Sequence, residues 1–302
     1  MEKKTLGFVL AAAGPFFWGS SGTVAQHLFN TTNVSPMWLV AVRMVVSGLL
    51  LVLYGTVRHV PMLAIFKRPA AAIKLVAFSL LGMVGTQLTY FMAISEGNAA
   101  TAAILQALSP VLLIIFLAVR LWRFPSKIDV ISVASAIIGT VLIVTEGSLH
   151  SLALPLPALI WGLLAAIGAT VYTLMPTQLI KTYGATAVVG WSMLFGGACV
   201  FIGSQAWRHT PRFNGITWLE VAFVVIFGTM LAYLFFLQSL EFILPTTASV
   251  LGTIEPLSAT ILSVLFLSVN FNVFGIVGAV MIVGVTGLQF IAARQASFGS
   301  TS

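Results

Sequence analysis

The sequence predicts an all-α polytopic membrane protein: ten transmembrane helices in two inverted five-helix repeats. Three observations predict it. First, 302 residues that are 59% hydrophobic and 7% charged, with a mean hydropathy of +1.08, cannot form a water-soluble domain. Second, the apolar stretches are continuous and about 20 residues long, the length that crosses a bilayer as a helix. The shorter alternating strands of a β-barrel are not seen. Third, landmarks recur at one spacing. Trp18-Gly19 returns as Trp161-Gly162, and Gly85-Thr86-x-x-x-Tyr90 returns as Gly228-Thr229-x-x-x-Tyr233, each displaced by 143 residues.

Polar and proline-rich breaks divide the chain into spans at 6–29, 36–57, 70–94, 98–120, 127–145, 156–179, 185–205, 216–238, 244–268 and 272–292. Five spans form an odd number of crossings, so a second copy enters the membrane from the opposite side. The halves meet near 146–155, where Glu146-Gly147-Ser148 gives way to Pro155-x-Pro157. Residues 1–150 and 151–302 are therefore two repeats of one integrated membrane domain. In secondary transporters with this construction, the substrate site lies near the midplane between the repeats.

Basic residues collect in cytoplasmic loops. With a cytoplasmic start, the inside holds Lys3, Lys4, Arg58, Lys67, Arg68, Lys74, Arg120, Arg123, Lys127, Lys181 and Arg294, and the outside only Arg208 and Arg212. Both termini are expected in the cytoplasm, in a multi-pass protein of the cell membrane. The net charge of +7 is then an orientation signal rather than a nucleic-acid surface. The first span is read as retained rather than cleaved. Cys199, the single cysteine, is expected to be a buried inert thiol.

Polar residues at membrane depth mark the candidate site. The first span places Trp18 after Pro15. The second embeds Arg43, able to meet a carboxylate or to snorkel to the headgroups. The third carries Thr86, Gln87 and Tyr90, matched in the eighth by Thr229 and Tyr233. The fourth sets Gln106 and Ser109 on one face, and the ninth Gly252 and Glu255. Glu255 enters about 16 Å into its span at ~1.5 Å per residue. A carboxyl there suits a counter-charge for an amine, a proton-titrating switch or a neutral hydrogen-bonded structural group. Thr101-Ala102 leads to Pro110 and Thr247-Ala248 to Pro256, displaced by 146. Each proline removes a backbone donor and kinks its helix, beside a polar cavity or as a packing device.

Gly19-Ser20-Ser21-Gly22 matches the Gly-x-Ser-Gly pattern of intramembrane serine proteases. Such an enzyme needs a histidine on another helix, and His27 shares the serine's helix while His59, His150 and His209 fall in or beside loops. The motif is better suited to close helix packing. Asp129 is the single aspartate, so a paired-aspartate site is excluded, and no metal-ligand or phosphate-loop spacing is present. No cofactor is expected, and proton coupling is the one coupling the residues suggest.

On Trp18-Gly19, Val42-Arg43-Met44, Ala99-Ala100-Thr101-Ala102 leading to Leu108-Ser109-Pro110, and Thr246-Thr247-Ala248-Ser249 leading to Ile254-Glu255-Pro256, the chain resembles the drug/metabolite transporter superfamily, EamA type. The family often carries Gly-Glu after the fourth and ninth helices. Here those places read Leu121-Trp122-Arg123 and Ser268-Val269-Asn270. The resemblance covers nearly the whole length. It implies a secondary transporter, in the exporting direction, of small organic metabolites such as amino acids or related amines. It also implies a central cavity lined by helices one, three, four, six, eight and nine, with five and ten peripheral. A channel-like facilitator or an uptake carrier on the same fold is the alternative.

Overall fold

The computed structural model describes residues 2–122, 126–148, 153–208, 210–211, 213–240, 242–243 and 245–299. Arg123, His150, His209, Arg212 and part of the 146–155 junction lie outside them, and of Arg294 only the backbone is described. Among the described residues the chain is helical, without strands. The helices are α1 (Glu2–Thr31), α2 (Pro36–Val57), α3 (Pro69–Glu96), α4 in two pieces (α4a, Ala99–Gln106; α4b, Ser109–Leu121), α5 (Lys127–Thr145), α6 (Leu156–Leu174), α7 (Ala185–Gly203), α8 (Gly215–Ser239), α9 in two pieces (α9a, Pro245–Leu251; α9b, Ile254–Leu267) and α10 (Val273–Gly299).

Eight helical stretches among the described residues, Ala99–Arg120 of α4 taken as one, are long and apolar enough to cross a membrane. Ile254–Leu267 and Val273–Gln289 are shorter apolar helices. Three of the expected spans differ in the structure, two of them at the prolines expected to kink them. The fourth breaks at residues 107–108, the ninth at 252–253, and the sixth ends at Leu174 before a short helix at Thr177–Tyr183. The first two breaks have one cause. Pro110 has no N–H for the Gln106 carbonyl, and Pro256 none for Gly252. The turns tighten instead: Leu108 N–H donates to the Leu105 carbonyl at 3.1 Å, and Glu255 N–H to the Gly252 carbonyl at 3.1 Å.

Helix starts follow local chemistry. Ser35, Asn98, Ser126 and Asn214 accept backbone N–H bonds in the first turns of α2, α4a, α5 and α8. The Gln26 side chain of α1 accepts the Ala99 N–H at 2.8 Å, so α1 also caps α4a from the side. Gln26→Leu leaves that buried donor unpaired, a loss of about 1–3 kcal/mol. A lowered melting midpoint of the purified protein in detergent checks it.

Packing pairs α2 with α7, α3 with α6, α5 with α10, α1 with α8 and α9b, and α4a with both α6 and α9b. Shifted by five helices, α1–α8 becomes α6–α3 and α1–α9 becomes α6–α4, so the contacts repeat with the sequence landmarks. The left-handed residues Trp122 and Ser268 that end α4b and α9b lie 146 apart, the offset of Pro110 and Pro256. Small residues permit the close crossings, as expected where lipid offers no hydrophobic drive. At α5–α10, a Cβ on Gly139 would stand 2.8 Å from the Gly278 carbonyl oxygen. Cys199 is exposed on α7 rather than buried, because an apolar run in a membrane helix also supplies the face turned outward.

Candidate functional site

The breaks in α4 and α9 face one cavity of about 260 Å³ at the middle of the bundle. Of the sequence-predicted residues, Trp18, Arg43, Thr86, Gln87, Tyr90, Gln106, Ser109, Pro110, Tyr233, Gly252, Glu255 and Pro256 line it. Thr229 stands behind, bonded to Arg43. Helices one, three, four, six, eight and nine all contribute. Two additions correct the expected lining: α2 enters through Arg43, and α10, expected to be peripheral, contributes Thr286.

Arg43 does not snorkel. Its side chain is 2% exposed, its Nε donates to Thr229 Oγ1 at 2.9 Å, and its Nη2 donates to the Gly228 carbonyl at 3.4 Å. The guanidinium sits over the Phe91 ring, 4.3 Å from the centroid, a contact favourable for a desolvated cation. Its partners come from a local irregularity. Ile226–Leu231 of α8 is a π-turn, and Thr229 Oγ1 donates to the Val224 carbonyl five residues back at 2.8 Å. A second π-turn occupies Phe78–Val84 in α3, ending just before Gly85-Thr86 rather than enclosing it. Such bulges concentrate at functional sites, and hydropathy carries no signal for them.

Glu255 opens α9b across the cavity. Gln106 Nε2 donates to its Oε1 at 3.5 Å, a long bond that joins the unequal members of the repeat. Gly252, the counterpart of Gln106, leaves room beside the carboxyl group. Ser109, the counterpart of Glu255, is fixed through its carbonyl, which accepts from Thr170 Oγ1 of α6 at 3.1 Å. Opposite charges therefore face one cavity, and among the described residues no ion pair joins them.

The equivalent tyrosines also differ. Tyr233 accepts from Gln87 Nε2 at 3.0 Å and packs its ring 4.9 Å from Trp18 and 6.1 Å from Tyr172. Tyr90 has no hydrogen-bond partner among the described residues. Tyr172 and Phe236 complete an aromatic wall that the sequence reading missed. Each lies inside an apolar run beside many other aromatic residues, with no local mark to single it out. Ser21, the serine of the protease-like motif, donates to the Trp18 carbonyl at 2.9 Å, and His27 pairs instead with Glu220 at 2.9 Å.

The EamA-like transporter family matches this chain twice, over residues 5–145 and 156–291. The chain belongs to that family. As an EamA-like protein it is 34% identical over 296 residues to the uncharacterized inner membrane transporter YicL of Salmonella typhimurium, covering 97% of each chain. The uncharacterized transporter YyaM of Bacillus subtilis is 21% identical, covering 70% of this chain and 71% of its own. A crystal structure superposes with a TM-score of 0.64 at 19% identity, over 97% of this chain and 99% of that one, a likeness of fold. The EamA-like chain is thus a polytopic membrane transporter. The first matched stretch carries Arg43, Gln106 and Ser109, and the second Tyr233, Gly252 and Glu255.

Proposed function

We propose that the chain is a secondary transporter that exports small organic metabolites, amino acids or related amines among them, by alternating access around this cavity. The observation that carries the reading is the pair Arg43 and Glu255, set without an ion pair between them in a mid-bundle cavity bounded by two broken helices. Charges at membrane depth are costly, and they are placed where they meet a cavity or a ligand.

The repeated landmarks and repeated contacts support two halves, residues 1–150 and 151–302, inverted across the membrane. The count of eleven basic residues against two supports cytoplasmic termini in the cell membrane. Gln106, Ser109, Gly252, Thr86, Gln87, Tyr90, Tyr233 and Trp18 would contact solute. Thr229 would hold Arg43 in position. Pro110 and Pro256 would keep the two breaks where the halves rock. Glu255 would meet the solute's amine or a coupling proton; no cofactor enters.

Counterflow tests this reading. Liposomes that contain the purified protein and a high internal amine or amino acid are expected to accumulate the same labelled solute transiently. Flux without trans-stimulation would indicate a channel-like facilitator. No flux across a panel of amino acids and amines, with monodisperse protein, would sink the transport proposal for this class.

A further inference from the structure

We infer that the cavity has a second, anion-reading corner, built by Arg43, Trp18 and Tyr90, and that the solute is a zwitterion whose carboxylate docks there while its ammonium faces Glu255 and Gln106. The inference rests on the transport proposal above and gives its substrate two fixed ends.

Four buried polar atoms on the cavity residues have no hydrogen-bond partner among the described residues: Trp18 Nε1, Arg43 Nη1, the Tyr90 hydroxyl and Gln106 Oε1. Buried polar atoms are seldom left unpaired, because each forfeits its hydration. Four around one cavity is therefore a pattern to explain. They also sort by chemistry. The Trp18 and Arg43 nitrogens can only donate, and the Tyr90 hydroxyl can donate. Gln106 Oε1 accepts, beside the Glu255 carboxylate.

The sorting also follows the helices. Trp18 and Gly22 lie four residues apart on one face of α1, and a Cβ on Gly22 would stand 2.8 Å from the Tyr90 hydroxyl. Ser21, one residue earlier, packs against Gly228, whose carbonyl accepts from Arg43. Tyr90 and Phe91 are chain neighbours, and Arg43 sits on the Phe91 ring. The donors are carried by α1, α2 and α3, with the Trp18 ring lying against Tyr233 and Phe236 of α8. Glu255 and Gln106 gather on α9 and α4.

Charge balance selects the ligand. Among the described residues Arg43 and Glu255 are the charged side chains of the lining. A simple amine would pair with Glu255 and leave the Arg43 cation without an anion and the Trp18 and Tyr90 donors unmatched. A simple carboxylate would leave Glu255 unmatched. An isolated charge in such a site is strongly unfavourable, and a zwitterion pairs both. A carboxylate can accept from the unpaired Arg43 Nη1 in a charge-assisted bond together with neighbouring N–H and O–H donors.

The test compares leucine, leucinamide and isopentylamine, and the same series for other neutral amino acids, as competitors of labelled amino acid in proteoliposomes. The amino acid is expected to compete about tenfold or more better than its amide or its amine. Tyr90→Phe keeps its ring and Trp18→Phe keeps an aromatic side chain against Tyr233 and Phe236, both leave the Arg43 anchors untouched, and each is expected to shrink that advantage several-fold. Equal competition by all three compounds, with counterflow intact, overturns the anion corner and spares the transport proposal. An advantage unchanged in both variants also overturns it, because the donors named here would then read nothing. No counterflow with any amino acid or amine overturns both.

Discussion

Glu255→Gln is expected to cut exchange of an amine-bearing solute by about 10- to 100-fold, while the folded yield and melting midpoint in detergent stay close to those of the unaltered protein. The size follows from replacing a charge-assisted hydrogen bond to an ammonium group with a neutral one, a loss of about 1.5–3 kcal/mol. The tolerance of the fold follows from the side chain's surroundings. Glu255 accepts one long bond from Gln106 and has no ion pair, and a glutamine carbonyl can accept the same bond. Neutralising a charge that the protein itself does not pair is often neutral or stabilising. If Glu255 carries a coupling proton, the variant also loses the dependence of flux on a pH gradient. Unchanged exchange and unchanged pH dependence in a variant reconstituted at equal density would remove Glu255 from the mechanism. An equal fall in yield and flux would make it a structural residue.

Glu255 was legible in the sequence because a carboxyl in a 25-residue apolar run is conspicuous, and its Pro256 partner could be matched to Pro110 in the first half. Arg43 was equally visible, but its destination was not. Snorkelling and burial look alike in sequence, and the choice depends on whether another helix offers acceptors. Here α8 does so through Thr229 and Gly228 in a π-turn. The proline breaks were foreseen as kinks. Each is a two-residue turn ahead of the proline, at Ala107-Leu108 and at Gly252-Thr253. Thr286 was invisible because α10 reads as uniformly apolar, and one threonine in such a helix usually bonds its own backbone. Tyr90 and Tyr233 read as equivalents. Their divergence arises from Gln87, which binds one hydroxyl across the bundle and leaves the other to the cavity.

Gly19→Val is expected to lower the melting midpoint by about 5 °C or more and to reduce the monodisperse fraction, through a clash of backbone with side chain rather than through the cavity's chemistry. A Cβ on Gly19 would overlap the Glu255 carbonyl oxygen and Ser258 Oγ and would stand 2.8 Å from the Ala259 nitrogen. Ser258 can rotate away. The carbonyl and the nitrogen belong to the backbone of the first two turns of α9b and cannot, so α1 and α9 must part. Overfilling a packed interface costs about 1–3 kcal/mol, and each kcal/mol is worth roughly 2–4 °C for a chain of this size. Gly203→Ala is the control, because nothing lies within 4 Å of its added Cβ. Equal midpoints for the two variants would show that the α1–α9 crossing is not set by Gly19. The contrast also decides what Gly19-Ser20-Ser21-Gly22 is for. Gly19 meets α9b, Ser21 meets Gly228 of α8, and Gly22 makes room for the Tyr90 hydroxyl. Ser20 donates to the Phe16 carbonyl at 2.7 Å. Each residue of the motif has a packing partner or a local bond, and the crossing they create sets the start of α9b, which carries Glu255, against α1 at Gly19.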